Sequence, residues 1–196
     1  MAMPRWTVHG YAIVSADDRI ADADGSMPDA LRNEADWRMF QSELDRMDAI
    51  ALGRRSHEAT PNRHGRTRIV LSSSLPALER RADGWWWNPS GMATGDMLAT
   101  VLPEGGAVAV PGGRDVFDLF LGFGFSSFHL SRADRAHLPG GVAVFGACDR
   151  GMPAEEVLRA SGLAPEQPVI LDAENSVSLT VFLPTNPARQ AAPASL

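Results

Sequence analysis

Gly53-Arg54-Arg55-Ser56 places a glycine turn, two guanidinium groups and a hydroxyl at the start of a helical stretch, just after the apolar run Asp48-Ala-Ile-Ala-Leu52. Strand, glycine turn and helix in that order turn free backbone N–H groups toward an anion, and arginine adds paired donors that match phosphate oxygens. Gly112-Gly113 repeats the arrangement after Ala107-Val-Ala-Val-Pro111. Bare glycine backbone there lets a dinucleotide pyrophosphate approach the next helix. Leu71-Ser72-Ser73-Ser74 ends a third apolar run with hydroxyls that cap a loop or complete a 2′-phosphate pocket. Each segment alone also reads as a tight turn or an N-cap with solvated arginines. Their joint occurrence is what points to bound phosphate.

Asp36 suggests a second kind of chemistry. It shares a helical stretch with Trp37 and Phe40, and a carboxyl facing an apolar pocket has its pKa raised and can hold a proton for a ring nitrogen. The ordinary alternative is a solvated carboxylate.

Other chemistries are excluded by composition. All 18 basic residues are arginine, so neither a Schiff-base lysine nor a P-loop lysine exists. Tyr11 is the only tyrosine, and Cys148 the only cysteine, which rules out an intrachain disulfide and a cysteine-rich metal centre. His9, His57, His64, His129 and His137 lack metal-ligand spacing and read as structural or exposed. Ser72 to Ser74 do not form a G-x-S-x-G elbow.

The elements that must position these groups alternate. Trp6 to Ser15 reads as an opening buried strand, followed by a loop rich in Asp, Ala and Gly. Leu31, Ala35, Met39, Leu44 and Met47 recur at helical spacing, so a helix is predicted to begin between Leu31 and Glu34. Short strands are predicted at 48–53, 68–72 and 107–111, with helices from Arg54 and over 115–121. Further strands are expected at 126–131, 142–146, 169–172 and 176–183, the last two as a closing antiparallel hairpin. The expected class is α/β: a central mixed, mostly parallel sheet with helices on both faces and ligands at the carboxyl ends of the strands.

Taken in order, these residues resemble the dihydrofolate reductase superfamily over roughly 6–183. The match runs through Ser15-Ala-Asp-Asp-Arg-Ile-Ala21, Asp36 followed by Phe40, Gly53-Arg-Arg-Ser-His-Glu58, Ile69-Val-Leu-Ser-Ser73 and Val110-Pro-Gly-Gly-Arg-Asp-Val-Phe117. The first of these resembles the reductase domain of the bifunctional riboflavin deaminase-reductase. The resemblance implies a three-layer sandwich and a reductase using NADPH on a pteridine- or ribosylaminopyrimidine-type substrate. Asp36 would be the substrate-facing acid, with Asp29 and Glu34 as alternatives, and Phe40 and Ala12 would contact the substrate. Gly53, Arg54, Arg55, Ser56, Leu71, Ser72 and Ser73 would hold the adenosine phosphates, with NADPH favoured over NADH. Gly112, Gly113, Arg114 and Val116 would hold the pyrophosphate and nicotinamide end. One departure concerns substrate: Met27-Pro28 is followed by Asp29-Ala30, without the tryptophan of a usual dihydrofolate reductase. Dihydrofolate reductase proper and a non-catalytic nucleotide-binding module are the alternatives.

At 196 residues and 44% hydrophobic composition one domain is expected over 1–185, followed by a disordered tail over 186–196. A formal charge of -6 disfavours nucleic acid as a partner. Neither a signal peptide nor a membrane span is recognisable, so a cytoplasmic location is expected. The resemblance makes a homodimer plausible. Trp85-Trp86-Trp87 reads as part core and part lid, or as an oligomer contact, since successive residues cannot share one strand face.

Overall fold

A computed structural model describes residues 6–186; the tail over 187–196 lies outside them. The chain forms β1 (Trp6–Ser15), β2 (Arg19–Ala21), α1 (Glu34–Leu44), β3 (Ala49–Gly53), α2 (Arg54–Ala59) and β4 (Arg68–Leu71). Next come β5 (Leu78–Arg81), β6 (Gly84–Trp87), α3 (Thr94–Val101), β7 (Gly106–Val110), α4 (Arg114–Phe123) and β8 (Ser127–Ala133). β9 (Val142–Ala143), α5 (Ala154–Ala160), β10 (Leu163–Pro165), β11 (Val169–Asp172) and β12 (Val177–Pro184) complete it.

The main sheet runs β10-β12-β8-β1-β7-β3-β4-β6-β5, with β11 on β12. Its centre is parallel, from β8 through β1, β7, β3 and β4 to β6. Its margins, β5 on one side and β10, β11 and β12 on the other, are antiparallel. The mixed, mostly parallel sheet and the closing hairpin are thus as expected. The strand expected over 142–146 is a two-residue bridge, Val142–Ala143, paired with β2 in a separate small sheet.

Strand alternation assigns the layers. Val8 and Val14 of β1, Ala49 and Ala51 of β3, and Val108 and Val110 of β7 face one core with Met97, Phe117, Phe120 and Leu158 of α3, α4 and α5. The intervening Tyr11, Ile50, Leu52 and Ala109 face the other side, where Leu44 and Phe40 of α1 cover them.

The tryptophan run obeys the same rule. Trp87 is fully buried in the α3/α4 core with Trp85 packed beside it, while Trp86 turns to the opposite face against Val70 and Leu75. Arg80 and Arg81 of the edge strand β5 lie over the Trp85 and Trp86 rings. The run is therefore core rather than lid. Cys148 sits in a short turn beside the small sheet, packed against the main core, and burial pushes its thiol pKa up to about 11.

Candidate functional site

A cavity of about 810 Å³ opens at the carboxyl ends of the parallel strands, within the usual size range for small-ligand sites. Apart from the alternative acids Asp29 and Glu34, every residue assigned to binding or catalysis by the resemblance lines it. The helix α2 and its turn bring Gly53, Arg54, Arg55 and Ser56; the end of β4 brings Leu71, Ser72 and Ser73. The β7–α4 turn brings Gly112, Gly113, Arg114 and Val116, and the opposite wall carries Ala12, Asp36 and Phe40.

The β7–α4 turn needs its glycines. Gly112 and Gly113 have φ of 133° and 84°, a region in which a side chain is strained. Gly113 is also the N-cap of α4 and offers no side chain to satisfy the first N–H groups. Those donors and the positive end of a ten-residue helix therefore face the cavity unblocked. Val116 wedges the two glycine turns together: a Cβ built on Gly113 would meet its Cγ2 at 3.4 Å, and one on Gly53 at 3.7 Å.

Two arginines of this wall are partly committed. The Arg114 guanidinium donates to Asp149 at 3.0 Å, and Asp149 also binds Arg19. Arg54 reaches Glu58 at 3.6 Å. Arg55, on the same turn, has no ion-pair partner among the described residues and is exposed.

On the opposite wall, Asn33 caps α1 by accepting the N–H groups of Ala35 and Asp36, each at 3.1 Å. The cap sets the first turn so that Asp36 enters the cavity. Burial pushes the Asp36 pKa up, opposed by the Ser131 hydroxyl nearby. Ser131 Oγ is buried without a partner in hydrogen-bonding geometry, so it lies near the carboxyl but is not spent on it. Asp29 and Glu34 do not line the cavity; they are exposed and paired with Arg32 and Arg38.

Sequence reasoning missed three residues of this wall: Tyr11, His129 and Ser131. Tyr11 stacks on His129 with centroids 4.6 Å apart and sits 5.7 Å from Phe40. Its hydroxyl points to Glu43 at 3.5 Å. His129 Nδ1 is buried and unpartnered, and burial lowers the ring's pKa, keeping it neutral. The histidine read as structural or exposed is thus a half-buried wall residue. The available signal was the i, i+2 spacing of His129 and Ser131 on a strand, which puts both on one face. Trp37, 52% exposed, flanks the mouth beside Phe40.

No family model matches the sequence, and no curated protein does. The likeness lies in three dimensions. A dihydrofolate reductase from Enterococcus faecalis, complexed with NADP(H) and RAB-propyl, superposes with a TM-score of 0.67 at 15% identity over 94% of this chain and all of that one. The chain has the dihydrofolate reductase fold. A structure from a Shewanella species named for riboflavin biosynthesis matches with a TM-score of 0.64 at 15% identity, over 92% of this chain and 99% of the other. The diaminohydroxyphosphoribosylaminopyrimidine deaminase/5-amino-6-(5-phosphoribosylamino)uracil reductase of Thermotoga maritima also matches at 0.64 and 15%, over 92% of this chain but 57% of the other.

Proposed function

We propose that this chain is an NADPH-dependent reductase acting on a pteridine- or ribosylaminopyrimidine-type ring. The observation that carries the reading is that one cavity unites two glycine turns and the serine-bearing end of β4 with a half-buried carboxyl whose pKa is raised. The neighbours named for NADP(H) and for riboflavin biosynthesis support it. The residues fit a dinucleotide: paired positive-φ glycines clear the backbone at an uncapped helix start, and Arg55 with Ser72 and Ser73 offers donors to a 2′-phosphate.

Bound there, the nicotinamide supplies the hydride. The protein does the rest. Asp36 keeps a proton on its carboxyl at a pH where an exposed aspartate has lost it, ready for a ring nitrogen. Phe40 and Tyr11 give the ring an apolar face, while the Ser131 hydroxyl, beside Asp36, and His129 Nδ1 offer polar partners at its edge.

The test is a parallel titration with NADPH and NADH, following quenching of tryptophan emission, then a turnover screen spanning dihydrofolate and ribosylaminopyrimidines. Saturable binding that prefers NADPH, with oxidation of the cofactor on one of these rings, is expected. Failure to bind either dinucleotide would overturn the reductase reading. Binding without turnover on any such ring would leave a nucleotide-binding module.

A further inference from the structure

A second cavity, of about 760 Å³, opens at the other end of the sheet, where Arg68 begins β4 and Gly84 begins β6. It shares no lining residue with the first. Its centre is Arg68, only 7% exposed. The Arg68 Nη1 donates to the Thr60 carbonyl at 2.8 Å and to His57 Nδ1 at 3.2 Å, whereas Nε is buried with no partner. No carboxylate forms an ion pair with this guanidinium among the described residues, although charges that are buried in proteins are normally paired.

The acids nearby are already engaged. Both Asp83 oxygens are taken, by His57 Nε2 at 2.8 Å and by the Trp86 indole N–H at 2.9 Å. Glu58 pairs outward with Arg54. Because guanidinium is a donor only, His57 Nδ1 must accept from Arg68, so its Nε2–H is what donates to Asp83. Two further guanidinium groups line the cavity: Arg66, held by Gln41 and Asp45 of the α1 end, and Arg80, exposed on the edge strand.

A buried cation that no carboxylate touches, flanked by two more and opening on a cavity, is an arrangement that can receive an anion, even with Asp83 and Glu58 on the same cavity wall. We propose that this cavity is a second binding site, independent of the reductase site, for a small oxyanion of the phosphate or carboxylate type, with Arg68 as its anchor and Arg80 at its rim. The oxyanion makes the direct contact with the guanidinium that Asp83 and Glu58, turned to other partners, do not make.

The experiment is a titration of the full chain with inorganic phosphate, and separately with malonate, against chloride at equal ionic strength, reading the indole N–H resonances. Trp86 reports this cavity, Trp37 reports the large one, and Trp87, bonded to the Met92 carbonyl in the core, is the control. A saturable shift at Trp86 that persists when NADPH fills the large cavity, with Trp87 unmoved, is expected for at least one probe. The more tightly bound probe identifies the oxyanion class. Arg68→Gln should weaken that binding by about tenfold or more, equivalent to about 1.4 kcal/mol. The absence of a Trp86 response to either probe, or a response unchanged in Arg68→Gln, would overturn the proposal. Should Arg68→Gln fail to fold, the surface variant Arg80→Gln decides: weaker binding supports the site, and unaltered binding rejects it.

Discussion

The two walls of the large cavity are built by different means. The wall of the glycine turns is backbone N–H groups and exposed guanidinium groups, so its charges stand in water before any ligand arrives. The wall around Asp36 is buried and half-buried side chains, two of which, His129 and Ser131, carry a buried polar atom that lacks a well-formed hydrogen bond. Exposed charges are screened and individually replaceable. A partly desolvated group has nothing to stand in for it. The first wall should therefore decide which dinucleotide binds and how tightly, and the second should decide whether anything reacts.

The sharpest break in that contrast is Asp36→Asn. Turnover should fall by about a hundredfold or more, the usual weight of one proton-transfer group, while NADPH binding in a fluorescence titration stays within error. Weakened cofactor binding would erase the distinction between the walls. The pH dependence follows the same carboxyl. Its folded pKa is raised by burial, so turnover that needs the protonated form should persist above the ordinary aspartate range and decline as pH rises through the folded pKa. The raised pKa also means that between the unfolded and folded values the native state holds more protons, so stability from this group is present at low pH and lost as pH rises. Asp36→Asn should accordingly raise Tm at neutral pH even as it lowers turnover, and a lower Tm would contradict the burial argument.

Gly113→Val comes next. A side chain at φ 84°, 3.4 Å from Val116, costs about 1–2 kcal/mol in backbone strain alone, and its bulk covers the N-terminus of α4. NADPH and NADH should weaken together by about tenfold or more, since the shared pyrophosphate is what loses its seat. Arg55→Ala should be milder and selective, weakening NADPH by about fivefold to tenfold with little effect on NADH. Arg54→Ala should do less, because Arg54 already leans on Glu58. Equal losses for both dinucleotides would move the 2′-phosphate elsewhere. The smallest effect is expected for Asn33→Ala, where loss of the α1 cap costs about 1 kcal/mol, a drop of about 2–4 °C in Tm, with a modest fall in turnover as Asp36 loses its fixed turn.

The first wall was legible in the sequence and the second only in part. Glycines after apolar runs are local signals, and Gly53, Gly112 and Gly113 needed no knowledge of distant neighbours. The helical spacing from Leu31 to Met47 likewise revealed α1, although its first residues form a 3₁₀ turn, Asp29–Leu31, before Asn33 caps the helix. Tyr11, His129 and Ser131 share one cavity wall with Asp36 because β1 and β8 pair in parallel register, Tyr11 opposite His129 and Ile13 opposite Ser131, on the side where α1 lies. No local pattern encodes that juxtaposition. The strand β6 was obscured because three consecutive tryptophans carry no polarity alternation, although the pleat sends them to alternate faces. The helix α3 lacks a capping side chain to announce it. Arg68 was hidden in the same way: within Arg66-Thr-Arg-Ile-Val nothing separates the guanidinium that no carboxylate touches from the one paired with Asp45.

Cys148 gives the molecule an internal clock. Its neighbour Asp149 ties Arg114 of the α4 start to Arg19 of the small sheet, so the turn that hides the thiol is held to the cavity wall through Arg114 and to the small sheet through Arg19. Only an ionised, accessible sulfur reacts with an alkylating reagent, and this one is neither until the turn opens. With no other cysteine in the chain, the rate of single-site alkylation reports the opening of that turn, its frequency when reagent is in large excess and its equilibrium when reagent is dilute, with and without dinucleotide.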